Sequence, residues 1–366
     1  MIIQPTAAQT RRIERARIYS GPGFGPRSFE CLGLGISLGL GHSPVSAGPS
    51  NFGGYFQGRA IWQTFQTDQG FTYGGTLRAV AGNTSTTVVT LTGAPTGGTI
   101  PIRAKATNTL AVGAGAQFSI YSDGGTTPFM TGVTPTAATP VALTGVGAGA
   151  SLTWSAGTGV TNDAWDATCA GLADLNGITA ANLVQANVTK QGIVTVGVNG
   201  RRGILLDGVD DFYSYQLASI VAPATQPVFF WLAFKQATYA GKGVLADPSG
   251  AACLVFGTGS TPGLQLYDGS FGPANSGAAI GSLVRLEAYF DGSTGSFLKL
   301  GSTQDTPGNC GNAASSINRY IGSQGGTVQF ANIEFYAGGV VTGLPSAAER
   351  LALSTALAAA YTGIAI

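Results

Sequence analysis

The densest group of ionisable side chains in this 366-residue sequence is Asp207, Asp210 and Asp211, in the run Leu206-Asp207-Gly208-Val209-Asp210-Asp211. Three carboxylates within five positions offer the hard oxygen ligands that calcium takes. The same spacing also makes an Asx-type turn, whose carboxylates accept backbone N–H bonds. The glutamates Glu14, Glu30, Glu287, Glu334 and Glu349 are scattered, and no Glu-x-Asp-x-Glu arrangement occurs. A glycosidase needs two carboxylates flanking the sugar, so the chain is read as non-enzymatic, with no catalytic residue and no cofactor beyond that calcium option. A single histidine, His42, excludes any multi-histidine metal site and any Ser/His/Asp triad outside its own neighbourhood. Cys31, Cys169, Cys253 and Cys310 show no metal spacing, and buried free thiols are expected of most of them. Exposed aromatics are a further kind of site. Tyr213, Tyr239, Tyr267 and Phe271 are candidates to face a glycan, against the commoner role of packing.

The elements that must hold these residues are mostly strands. Glycine (57) and proline (17) are abundant, and both break helices. Charged residues are only 10% of the chain, and 18 Lys plus Arg against 17 Asp plus Glu leave a net charge of +1, which argues against a nucleic-acid partner. Mean hydropathy is +0.23, yet no apolar run reaches the length that spans a bilayer, so membrane insertion is not expected. No secretory signal is legible at the N-terminus.

Three segments differ in pattern. Residues 1–60 carry Arg11 to Arg17 and then a glycine alternation that sets Leu32, Leu34, Ile36, Leu38 and Leu40 on one side of an extended stretch. Such a stretch lacks a core of its own. It is expected to lie over the downstream domains or to anchor on a neighbouring subunit by strand addition. Cys31, lying in this arm, is a candidate for an intersubunit disulfide. Residues 61–160 read as short Thr/Val-rich strands, with Asp123-Gly124 signalling a tight hairpin after Phe118-Ser119-Ile120-Tyr121. The run from Phe118 through Val141-Ala142-Leu143-Thr144 to Leu152-Thr153-Trp154 resembles immunoglobulin-like modules of phage tail and baseplate proteins.

Residues 161–366 hold the most specific signals. Gly203-Ile204-Leu205-Leu206-Asp207-Gly208-Val209-Asp210-Asp211-Phe212 is followed by the aromatic run Val228-Phe229-Phe230-Trp231-Leu232-Ala233-Phe234. Then come Leu283 to Gly292, Tyr320-Ile321-Gly322-Ser323 and Phe330 to Tyr336. In that order these resemble the laminin-G-like, concanavalin A-like family, here of the kind found in phage structural proteins. The alternation of Val284/Leu286/Ala288 against Leu283/Arg285/Glu287 predicts a half-buried strand with Glu287 on a solvent face, and Glu334 is read the same way. Ser346 and Glu349 form a capping box before a helix with the stripe Leu351, Leu353, Leu357 and Tyr361.

The expected fold is therefore all-β: an N-terminal arm, an immunoglobulin-like sandwich, a concanavalin A-like jelly roll and one C-terminal helix. The expected function is a non-enzymatic structural protein on the exterior of a phage virion, as capsid decoration, collar or tail fibre. It would be oligomeric, partnered by other virion proteins and by a host-surface glycan. A secreted or cell-surface carbohydrate-binding adhesin is the alternative.

Overall fold

The central strand Val228–Gln236 reads VFFWLAFKQ, a run too apolar to leave either face in water. The computed structural model, which describes residues 52–56, 61–96, 98–175, 182–216, 227–237, 240–246, 254–258, 263–275, 278–292, 294–312, 318–324 and 326–366, shows why. Val228, Phe230, Leu232 and Phe234 point into one core, while Phe229, Trp231 and Ala233 point into another. Alternate side chains of a strand face opposite ways, so a strand covered on both sides must be apolar throughout.

This strand lies in an antiparallel sheet ordered Ile193–Val198, Arg201–Asp207, Asn332–Thr342, Val228–Gln236, Leu283–Phe290, Phe297–Leu300 and Thr303–Gln304. Ile61–Gln66 pairs with the second half of Asn332–Thr342, where Phe65 stands opposite Gly338. A side chain at Gly338 would meet the Phe65 ring at 2.5 Å, so glycine is what lets that ring lie across the strand. The facing sheet runs Phe71–Tyr73, Cys169–Leu172, Leu183–Val184, Tyr213–Gln216, Asn318–Ile321, Ala240–Ala246, Leu254–Thr258, Leu264–Tyr267 and Phe271–Asn275. Between the two sheets lie Ile204, Leu206, Phe230, Leu286 and Phe335 from one side and Leu172, Tyr213, Leu264, Leu266 and Ile321 from the other. Burying each such aliphatic or aromatic side chain contributes roughly 1.5–3 kcal/mol.

The outer face of the first sheet is covered by the helix Ala347–Ala360 and by the 3-10 turn Phe52–Tyr55. The helix starts as the sequence predicts. The Ser346 side chain accepts from the Glu349 N–H, and Glu349 returns to the Ser346 N–H. Leu353, Leu357 and Tyr361 pack beneath it, whereas Leu351 is exposed. Phe52 meets Trp231 edge-on at 5.8 Å. The end of the expected N-terminal arm and the strand Ile61–Gln66, assigned by sequence to the middle module, thus both build the large sandwich.

The middle region has its own core around Phe118, Trp154 and Trp165. A five-stranded sheet (Arg78–Ala79, Ala164–Asp166, Arg103–Ala106, Phe118–Tyr121, Pro128–Val133) and a three-stranded one (Val89–Gly93, Ala150–Trp154, Val141–Ala142) enclose it. The hairpin after Tyr121 is wider than Asp123-Gly124 suggests. Asp123 accepts from the backbone N–H groups of Gly125, Thr126 and Thr127, so its carboxylate organises a loop instead of a two-residue turn. The architecture of the described residues is all-β with one α-helix, and none of their helices is long and apolar enough to cross a membrane.

Candidate functional site

At the end of the nine-stranded sheet, Leu264–Tyr267 and Phe271–Asn275 form a hairpin whose register sets Tyr267 opposite Phe271. The turn Asp268-Gly269-Ser270 needs a left-handed residue, and Gly269 supplies it at φ 94°. The two rings meet at 5.1 Å with an interplanar angle of 60°. Phe271 is 70% exposed, and Tyr267 is half-buried. The tip does not hang free, because the N–H groups of Asp268 and Ser270 both donate to the Cys310 carbonyl, at 2.7 and 3.0 Å. Gln265 on the same hairpin donates its amide to the Gly272 carbonyl. The result is an aromatic surface held rigid from below with polar groups beside it, the form in which a protein meets the apolar face of a sugar ring.

The other sequence-predicted aromatics behave differently. Tyr213 is fully buried in the main core and donates its hydroxyl to the Cys169 carbonyl at 2.6 Å, so it cannot face a glycan. Its ring is needed as packing and its hydroxyl satisfies a buried acceptor. Tyr239, Cys31 and the arm residues Leu32, Leu34, Ile36, Leu38 and Leu40 lie outside the described residues. Cys169 and Cys310 are free and buried, as expected of most of the thiols. Burial pushes the Cys169 thiol up to about 12.

Asp207, Asp210 and Asp211 do come together, with oxygens within 4.8 Å of one another. Gly208 takes φ 77° and folds the turn back. Asp207 accepts from the Val209 and Asp210 N–H groups, and fully buried Asp211 accepts from the Asp207 N–H. From the middle region, Arg78 reaches Asp211 at 2.6 Å and Asp207 at 3.8 Å. Burial lifts the Asp211 carboxyl to about 6, with the Arg78 guanidinium pulling the other way. Arg78 thereby brings the counter-charge that a calcium ion would bring. The turn also ties the middle region to the large sandwich, a contact for which the sequence gives no signal.

Glu287 departs from expectation, and Glu334 does so only in part, since Asn332 and Glu334 keep the more open parity against buried Ile333 and Phe335. Every residue of Leu283–Phe290 is buried, because the helix covers the face that alternation assigns to solvent. Glu287 is fully buried between Arg285, at 2.7 Å, and Arg350 of the helix, at 3.1 Å. Glu334 is partly covered and pairs with Lys235 at 3.4 Å and with the Thr195 hydroxyl. The hint was available in the strand itself: Leu283 and Tyr289 share parity with Arg285 and Glu287, and a solvent face seldom starts and ends on large apolar residues.

No family model matches the chain, and no curated protein matches it. Solved structures do. One is a mutant GH54 α-L-arabinofuranosidase soaked with 4-nitrophenyl α-L-arabinofuranoside, at 14% identity and TM-score 0.41 over 54% of this chain and 52% of that one. A second is a GH54 α-L-arabinofuranosidase soaked with a cyclic sulfate inhibitor, at 13% and 0.43 over 82% and 63%. A third is an arabinofuranosidase complexed with arabinofuranosyl-α-1,2-xylobiose, at 13% and 0.40 over 86% and 65%. This chain thus matches between half and two thirds of those structures' length. The expectation of a non-enzymatic phage structural protein is corrected here. The similar structures are arabinofuranosidases, against the expectation of a non-enzymatic phage structural protein. At this distance the likeness lends no activity to the chain.

Proposed function

We propose that the chain recognises carbohydrate, using Tyr267 and Phe271 as the platform on which a sugar ring stacks. In this reading residues 161–366, completed by Ile61–Gln66 and Phe71–Tyr73, form a laminin-G-like, concanavalin A-like jelly roll, and the rest of the middle region is an immunoglobulin-like spacer. The order of the motifs from Gly203 to Tyr336 supports the first assignment, and the separate core around Trp154 suits the second. The observation that carries the function is the exposed Phe271 on a tip fixed by two bonds to Cys310. A ring this large left in water on a rigid hairpin contributes little to the fold and much to a contact.

Affinity electrophoresis of the full chain through gels cast with neutral polysaccharides tests this. At least one polysaccharide should retard the protein, and Phe271→Ala should weaken that binding about tenfold, equivalent to ~1.4 kcal/mol. Its thermal stability should stay within ~0.5 kcal/mol of the parent, as for an ordinary surface change. Retardation unaltered in Phe271→Ala and Tyr267→Ala sinks the assignment. Release of new reducing ends from a retarding polysaccharide would identify a glycoside hydrolase in place of a binding module.

A further inference from the structure

We propose that the cleft between strands Leu283–Phe290 and Phe297–Leu300 and the first turns of the C-terminal helix binds a compact dianionic group, phosphate or sulfate, through Arg285, Lys299 and Arg350. This inference goes beyond the carbohydrate reading and does not depend on it. The cleft measures about 200 Å³ and its lining includes Arg285, Glu287, Lys299, Gln304, Arg350 and Ser354. At ~30 Å³ per water, that is room for several waters or one oxyanion with part of the molecule that bears it.

Charge makes the first argument. Three cations face a single carboxylate, because Glu287 stands directly across the ladder from Lys299 and between the two guanidinium groups. A monoanion would leave the cluster positive, whereas a dianion balances it. Among the described residues Lys299 forms no ion pair. Burial lowers its ammonium from the ordinary value, Glu287 opposes this, and Arg285 and Arg350 push it further down.

Unmatched donors make the second. Arg285 is 1% exposed, and its Nε, like that of Arg350, is buried without a hydrogen-bond partner. The remaining contacts of Arg285 go to Glu287, to the Ser354 hydroxyl and to the Arg350 carbonyl. An unsatisfied buried donor on a charged group is costly, and guanidinium groups bind tetrahedral oxyanions well because their planar fork fits two oxygens at once. Glu349, the acidic residue of the same helix turn, does not line the cleft, and one of its oxygens accepts the Ser346 N–H.

Calorimetric titration of the full chain with inorganic phosphate and with inorganic sulfate, against sodium acetate at matched ionic strength, decides the matter. The expected result is saturable one-to-one binding of phosphate or sulfate, with a rise in melting temperature and acetate at least about tenfold weaker. The tighter of the two anions identifies which ester the site suits. Lys299→Met should weaken binding about tenfold or more and leave the unliganded melt unchanged. Lys299→Gln provides the same comparison if the methionine variant melts early. Phe271→Ala should bind the anion normally, which separates this site from the aromatic hairpin. Absence of saturable binding to both anions, acetate binding as tight as theirs, or full affinity in the Lys299 variants overturns the proposal.

Discussion

The acidic turn at Asp207–Asp211 and the basic cleft around Glu287 are inversions of each other. In one, Arg78 pairs with two of three clustered carboxylates; in the other, Glu287 pairs with two guanidinium groups and stands across the ladder from Lys299. Yet the turn satisfies most of its surplus and the cleft does not. The difference lies in the backbone. A tight turn leaves N–H groups free, and these donate to Asp207 and Asp211. Strand Leu283–Phe290 has both neighbours in place, so its carbonyls are committed to the ladder and few remain to accept from a guanidinium. A turn can absorb excess negative charge locally, whereas on this sheet face the Nε atoms of Arg285 and Arg350 and the Oε1 of Glu287 are all left without a hydrogen bond.

The largest test of this contrast is Glu287→Ala. Removing Glu287 strands Arg285 in the core, a loss of about 3–5 kcal/mol. Urea denaturation at neutral pH measures it, and a drop below ~1 kcal/mol would mean that water already neutralises the cleft.

Next comes Asp211→Asn. The folded carboxyl titrates near 6, above the ordinary value of about 3.9. A raised folded pKa means the native state holds the proton more tightly. The stability this gives is complete below pH ~4 and is lost as the pH rises through 6. The wild type's standing relative to Asp211→Asn should therefore fall by ~2–3 kcal/mol between pH 4 and pH 7. Urea midpoints at each pH unit read this out. A difference that does not vary with pH would show that Arg78 outweighs burial and that the turn is balanced through charge alone.

These two sites also mark how far sequence reading reaches. The Ser346/Glu349 box was legible because every partner lies within one helical turn. The central strands were legible as strands from period and composition. The covering of Leu283–Phe290 was not, because a helix sixty residues downstream decides which parity meets water. Arg78 meeting Asp211 was hidden for the same reason: the partners are 133 positions apart. Tyr213 and Phe271 look alike as loop-flanking aromatics, and only the fold separates a ring with its hydroxyl on a buried carbonyl from one in solvent. Tyr267 and Phe271 flank Asp268-Gly269-Ser270, so their pairing was within reach of a hairpin reading.

Ser346→Ala sharpens the comparison from the side of the helix. Loss of the cap should cost about 1 kcal/mol. The helix carries Arg350 and Ser354, so anion affinity should fall with it, while the pH step assigned to Asp211 should remain. Parallel urea titrations at pH 4 and pH 7 distinguish the two. Loss of the pH step in this variant would show that cleft and turn unfold as one electrostatic unit.

The smallest effect is expected for Asp207→Asn, and its smallness is the point. Asp207 lies 3.8 Å from Arg78 with 37% of its side chain exposed, a pair worth little in water. Asparagine keeps the oxygen that accepts from the Val209 N–H at 2.8 Å, so the turn geometry survives. Only the charge is lost, and that charge helps hold the Asp211 carboxyl up. Stability at neutral pH should change by less than ~0.5 kcal/mol, and the Asp211 step should move to lower pH. Melting curves with and without millimolar calcium complete the experiment. If the turn is saturated by Arg78 and its own backbone, calcium should not shift the melt of either protein. A calcium-dependent rise in the wild type that Asp207→Asn abolishes would make the turn a metal site, with its carboxylates as open to an external partner as the cleft's cations.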